Sequence, residues 1–134
     1  MEIRTATAAD TAALLRRDAH IAAGELTAAV ARGRVYVAEA NGRIAGWLRY
    51  NLFWDNIPFL NMLFVGARER GRGFGSALLA RWEADMKAAG FTRVLTSTRS
   101  DERAQHFYRH RGYADAGALF LPGDPAELFL TKTL

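Results

Sequence analysis

The stretch Val65-Gly66-Ala67-Arg68-Glu69-Arg70-Gly71-Arg72-Gly73-Phe74-Gly75-Ser76 ends in three glycines at alternate positions, interleaved with arginines. The apolar run before it, Phe59 to Val65, reads as a strand, and Ala77 to Ala89 after it reads as an amphipathic helix. A strand that empties into a glycine-rich turn and a helix start is a device for holding phosphate. Glycine lets a ligand come close to the main chain, successive N–H groups converge, and the helix N-terminus adds positive potential. Two phosphate loops of other kinds fail on particular residues. Gly66 and Gly71 have P-loop spacing, but Arg72 and Gly73 stand where a lysine and a magnesium-binding hydroxyl are needed. A dinucleotide fingerprint needs glycine where Ser76 stands, and an acid near Arg93 to Leu95 that is missing.

The elements that must position this loop follow from periodicity and turn chemistry. Glu2 to Thr5 is a first strand. Thr7 or Asp10 caps a helix that runs to about His20, Gly24 breaks it, and a second helix occupies Glu25 to Ala31. Val35 to Ala40 and Ile44 to Trp54 are strands joined by Asn41-Gly42, the strongest short hairpin signal. Asp55 to Pro58 makes a turn into the strand before the loop. In the following helix Leu78, Trp82 and Met86 recur at helical spacing and form a buried face. A strand holds Val94 and Leu95 and reaches about Thr98. Ser100, Asp101 and Glu102 then supply a cap and first-turn acids for a helix through about Arg111. Strands at about Tyr113 to Leu121 and Glu127 to Thr133 close the chain. The order is that of a single α/β domain over 1–134, with a mixed sheet covered by helices.

Composition narrows the chemistry. The 134 residues contain no cysteine, which excludes disulfides, thiolate metal sites and cysteine nucleophiles and accords with a cytoplasmic setting. Met1-Glu2-Ile3-Arg4 has no apolar leader, and the most apolar region, Tyr50 to Ala67, is interrupted by Asp55, Asn56, Pro58 and Asn61. No membrane partner is therefore expected. The net charge of +4 favours anionic partners. A polyanionic coenzyme satisfies that as well as nucleic acid does, and nucleic acid is the weaker reading.

With those loops excluded, Arg70-x-x-Gly73-x-Gly75 between strand and helix resembles the coenzyme A pyrophosphate loop of the GNAT superfamily of N-acetyltransferases. Downstream, Asp101-x-x-Ala104-x-x-Phe107-Tyr108-Arg109-x-Arg111-Gly112-Tyr113 is similar to the family's second motif, in the right order and spacing. The resemblance spans nearly the whole chain. It implies a mixed, mostly antiparallel sheet of about seven strands with about four helices, split between the fourth and fifth strands. It also implies acetyl-CoA as co-substrate, with no metal, and an amine-bearing acceptor that is a small molecule or a peptide.

In such a fold the pantetheine arm would pair with the strand at Leu63, Phe64 and Val65. Main-chain N–H groups of Arg70, Gly71, Arg72, Gly73, Phe74, Gly75 and Ser76 would hold the pyrophosphate, with Arg68, Arg70 or Arg72 adding charge. Tyr108 matches the family's tyrosine and would act as general acid toward the departing thiolate, a phenol being protonated at neutral pH. Asp101 stands where relatives usually have a coenzyme-contacting asparagine, and helix capping explains it equally well. Many relatives carry a glutamate base where Asn61 stands, so Asn61 would position a water or the substrate. Glu25, Asp55 and His20 are other candidates for proton transfer, and His106 reads as exposed. Tyr50, Phe53, Trp54 and Phe59 would line an acceptor pocket, a core or a homodimer surface. The same resemblance fits a non-catalytic acyl-CoA-binding module as a second hypothesis, and a basic nucleic-acid-binding domain as a third.

Overall fold

The computed structural model describes residues 1–134. Seven strands form one sheet in the order β1-β2-β3-β4-β5-β7-β6: β1 (Glu2–Thr5), β2 (Val35–Ala40), β3 (Arg43–Phe53), β4 (Ile57–Val65), β5 (Arg93–Arg99), β6 (Ala114–Leu119) and β7 (Glu127–Thr133). Four helices accompany them: α1 (Thr11–Arg17), α2 (Ala23–Ala31), α3 (Phe74–Ala88) and α4 (Ala104–Arg109). Every strand pairing is antiparallel except β4 with β5. The expected mixed sheet, helix count and split between the fourth and fifth strands are all present.

Alternation along the strands sends side chains to two cores. On one face, Leu48, Leu60, Val94 and Leu130 meet Leu78, Leu79, Trp82 and Met86 of α3 and Tyr108 of α4. On the other, Val35, Val37 and Trp47 meet Leu14 of α1 and Leu26 and Val30 of α2. The β2–β3 hairpin has φ of 54° at Asn41 and 71° at Gly42, the paired left-handed turn that Asn-Gly favours.

Several boundaries differ from expectation. α1 ends at Arg17 rather than near His20, because Asp18 is extended (φ −97°, ψ 99°) and its carboxylate is drawn to Trp47 and Arg49 of the interior strand β3. Gly24 does not break a helix. It lies in the first turn of α2, where N–H groups lack intrahelical partners anyway. Pro58 belongs to β4 rather than to the turn, which is Trp54 to Asn56 with φ of 53° and 63° at Trp54 and Asp55. Pairing with β5 begins only at Phe59, so the proline sits where a single strand flanks it. α3 begins at Phe74 rather than Ala77. The acids expected to cap α4 do not: Arg103 holds the N-cap position, with no side-chain cap hydrogen bond.

Candidate active site

The site is built on a failure of pairing. β4 pairs with β3 from Ile57 to Val65, but with β5 only at Phe59↔Leu95 and Leu60↔Thr96. The register shows why the strand turns away. Arg49 faces Met62 and Tyr50 faces Leu60, so Asn61 is the extra residue of a β-bulge. Beyond it Leu63, Phe64 and Val65 form one wall of a cleft, and Ala104, Phe107 and Tyr108 of α4 the other, enclosing about 630 Å³. Leu63 and Val65 pack toward α3 and α4, whereas the ring of Phe64 stacks on Trp47 at 4.4 Å on the opposite face.

At one end the cleft runs into the glycine loop. After a 3-10 turn at Ala67–Glu69, Gly71 and Gly73 have φ of 76° and 86°, and Gly73 is the N-cap of α3. Neither conformation suits a side chain. No side chain caps the first N–H groups of α3, which therefore open onto a hollow of about 440 Å³ lined by Val65, Arg70, Gly73, Gly75, Phe107 and Arg111. Phe74 contributes main chain only, since its ring is core. Arg70 donates from Nε to the Val65 carbonyl at 3.3 Å. The side chain of Arg72 is exposed, and Arg68 lines a separate basic hollow beside Arg16, Arg17 and Arg43.

At its other end the cleft holds about 460 Å³ among His20, Asn61, Thr98, Tyr108 and Glu127. Tyr108 is 5 % exposed, and burial pushes its phenol up to about 12, an effect that contact with the Thr96 hydroxyl offsets in part. The phenol is thus a proton donor throughout the neutral range. Thr96 in turn donates to the Leu60 carbonyl at 3.1 Å, at the last paired position before the split. Thr98 lies on the same strand past that point. Its Oγ1 is buried with no hydrogen-bond partner, in a cleft wall where a ligand polar group would complete it. Asn61 donates from Nδ2 to the Asn51 side chain at 2.8 Å, which fixes its amide at the bulge.

The structure brings Leu63 to Val65, the glycine loop, Asn61 and Tyr108 together around one cleft. It divides the expected acceptor-pocket residues: Phe53 meets Trp54 at 4.8 Å and Phe59 at 5.9 Å, but Tyr50 lies on the other face of the sheet. Tyr50 points to the α3 face, its ring 5.7 Å from Trp82, while Trp54 is 76 % exposed on a hollow with Asn56 and Arg93. Asp55 is exposed in the turn and Glu25 is exposed on α2. Strand parity is the reason: Tyr50 and Phe53 lie an odd number of residues apart and take opposite faces. Phe53, Phe59 and Phe129 form an aromatic file away from α3 instead. Asp101 is turned to solvent and binds Arg99 at 3.0 Å.

Five residues around the site escape sequence reasoning. Thr98 and Glu127 reach the cleft only through sheet order. The buried Asp18–Arg49 pair joins residues far apart in the chain. Arg111 reaches back from the end of α4 to donate to the Ser76 hydroxyl and, at 2.9 Å, to the Phe107 carbonyl. Its guanidinium lies 3.7 Å above the Phe107 ring, a cation held at the mouth of the phosphate-type loop. For Arg111 a signal existed, since it falls inside the second motif.

Residues 5–113 match the family model described as "Acetyltransferase (GNAT) family". Among curated proteins, an uncharacterized N-acetyltransferase of Methanocaldococcus jannaschii is 32% identical over 102 residues, covering 72% of this chain and 65% of that protein. Among solved structures, Ard1 from Thermoplasma volcanium superposes with a TM-score of 0.87 at 16% identity, over 99% of this chain and 97% of that one. The ribosomal-protein-alanine N-acetyltransferase of Brucella melitensis gives 0.84 at 23% identity, over the whole of both chains.

Proposed function

The chain belongs to the acetyltransferase (GNAT) family, and on that premise we propose that it moves an acetyl group from acetyl-CoA to a primary amine by direct attack on the thioester. The observation that carries this reading is the cleft between β4 and β5, with a buried neutral phenol at its wall.

The residues present suit the coenzyme. Main chain of Leu63 to Val65 is free of β5 and available to an extended amide-bearing arm, as an added strand would be. The turn Arg70 to Ser76, with its two left-handed glycines and the uncapped start of α3, suits a pyrophosphate. Arg70 and Arg111 stand beside it as cations. The orphan Thr98 hydroxyl waits in the cleft wall. Acetyl-CoA supplies an activated acetyl thioester when bound.

This chain's own groups then have defined tasks. Tyr108 donates its proton to the leaving sulfur. A main-chain N–H near the bulge, by Leu63, would stabilise charge on the acetyl oxygen. Asn61, which cannot take a proton, orients the acceptor or a water at the bulge.

A non-catalytic acyl-CoA-binding module is the second reading, favoured by an asparagine on β4 where a carboxylate base would serve. Free-thiol release separates the two. The purified chain is given acetyl-CoA and amines of different classes: polyamines, amino acids, aminoglycosides and peptides with free N-termini, including alanine-first peptides. Amine-dependent thiol release supports the transferase. Tight coenzyme binding with no release by any amine supports the module.

A further inference from the structure

β4 offers no carboxylate at its bulge, so the proton of the incoming amine needs another destination. The α1–α2 connection provides one. Asp18 turns inward where α1 stops, and its Oδ2 accepts from Nε of Arg49 at 2.8 Å and from Nε1 of Trp47 at 3.2 Å. Its Oδ1 accepts the main-chain N–H of His20 at 3.0 Å. The Asp18 and Arg49 side chains are only 1% and 8% exposed. A buried ion pair thus pins the main chain at residue 20, in a connection that would otherwise be loosely held. The side chain placed by that anchor lines the same cleft as Asn61, Thr98 and Tyr108. His20 arrives from the α1–α2 side of the sheet and Tyr108 from the α3–α4 side. The split in the sheet therefore lies between an imidazole and a phenol.

We infer that His20 is the proton acceptor for the incoming amine, an assignment that rests on the acetyltransferase reading of this cleft. An imidazole titrates near neutrality and is the side chain best matched to that task. The ammonium gives one proton to the imidazole. The freed lone pair bonds to the acetyl carbon as the C–S bond breaks, its electrons leaving on sulfur. Sulfur takes the Tyr108 proton, and the second amine proton passes to the Tyr108 oxygen. His20 then releases its proton to solvent, so the sum is one amide, one thiol and one proton. The charged groups around His20 are Asp18 beneath it and Arg99, Glu102 and Glu127 across the cleft. Arg99 is engaged by Asp101 at 3.0 Å and Glu102 at 3.6 Å, which leaves Glu127 as the carboxylate with no ion pair. It faces the cleft as an attractor for a cationic amine.

The experiment measures kcat/KM against pH for the full chain, with acetyl-CoA and the amine that the wild type acetylates best. Wild type is compared with His20→Gln, His20→Ala and Glu127→Gln, with coenzyme binding followed by calorimetry. Both His20 variants are expected to lose about 100-fold or more in turnover and to lose the acid limb of the wild-type profile. Their coenzyme affinity stays at the wild-type value. Turnover within threefold of wild type with the acid limb intact overturns the assignment. So does an acid limb that vanishes in Glu127→Gln and persists in His20→Gln. A wild type that binds acetyl-CoA yet acetylates no amine overturns the transferase reading and this assignment with it, and is seen before any variant is made.

Discussion

The Asp18 carboxylate accepts from the Arg49 guanidinium at 2.8 Å, joining the end of α1 to the middle of β3 with both side chains almost wholly out of water. Burial opposes ionisation of Asp18, but the hydrogen bonds from Arg49, from the His20 N–H and from Trp47 outweigh it and hold the carboxyl below its usual value. Removing one partner of such a pair leaves the other charge buried, at a cost of about 3–5 kcal/mol. Asp18→Ala is therefore expected to shift the urea midpoint strongly downward at pH 7. The folded pKa is depressed, so this stability is present above the unfolded value of about 3.9 and lost as pH falls through the folded value. The wild-type advantage over Asp18→Ala should thus shrink only in acid, as denaturation curves at pH 7 and pH 3 will show. The double replacement Asp18→Leu with Arg49→Met should recover much of the stability without restoring turnover, since nothing then holds residue 20.

Tyr108→Phe deletes a hydroxyl from a buried ring and leaves the packing against Phe107 and Tyr113 in place. Turnover is expected to fall about 100-fold with coenzyme affinity unchanged, the pattern of a lost general acid. A rate equal to wild type would remove Tyr108 from the chemistry.

All four tyrosines, Tyr36, Tyr50, Tyr108 and Tyr113, have phenols raised above the ordinary value, in each case chiefly by burial. A raised folded pKa contributes stability that is full below the unfolded value of about 10 and is lost as pH climbs through the folded one. Absorbance at 295 nm should therefore show little phenolate at pH 10, and its rise should coincide with loss of the circular-dichroism signal.

Gly46 lies opposite Val65, and a Cβ there would stand 2.5 Å from the Phe64 carbonyl oxygen. That oxygen is main chain, so β3 and β4 must part where β4 feeds the glycine loop. Gly46→Ala is expected to cost about 1–3 kcal/mol and to weaken acetyl-CoA binding. Gly24, whose added Cβ would meet nothing within 4 Å, is the control: Gly24→Ala should be neutral or stabilising.

Arg111 holds the start of α3 to the end of α4 through Ser76 and Phe107. Arg111→Ala should weaken coenzyme binding about tenfold, as expected for one charge-assisted contact, while kcat at saturating coenzyme stays within a few-fold. Calorimetry and saturation kinetics together check this.

Much of the architecture was legible because it is written locally. Asn41-Gly42 demands its hairpin, and Leu78, Trp82 and Met86 demand a buried helix face, whatever surrounds them. The errors at Asp18 and Asp101 fall where a side-chain partner, distant in one case and near in the other, overrides local preference. Asp18 could have continued α1, but Arg49 and Trp47 offered its carboxylate more than the helix did. Asp101 reads as a cap, yet Arg99, two residues before it, claims its oxygens.

The same division separates the two halves of the site. The sequence by itself determined the phosphate-type loop and the helix bearing Tyr108, because backbone conformation at Gly71 and Gly73 and a helical apolar face are properties of neighbouring residues. Only the tertiary structure decided what lies across from Tyr108. Sheet order places β5 beside β4 and β7 beyond it, the bulge at Asn61 opens the gap, and a buried ion pair sets His20 at its far edge. Those contacts join residues far apart along the chain, and they form only once the cores on both faces have closed around the sheet.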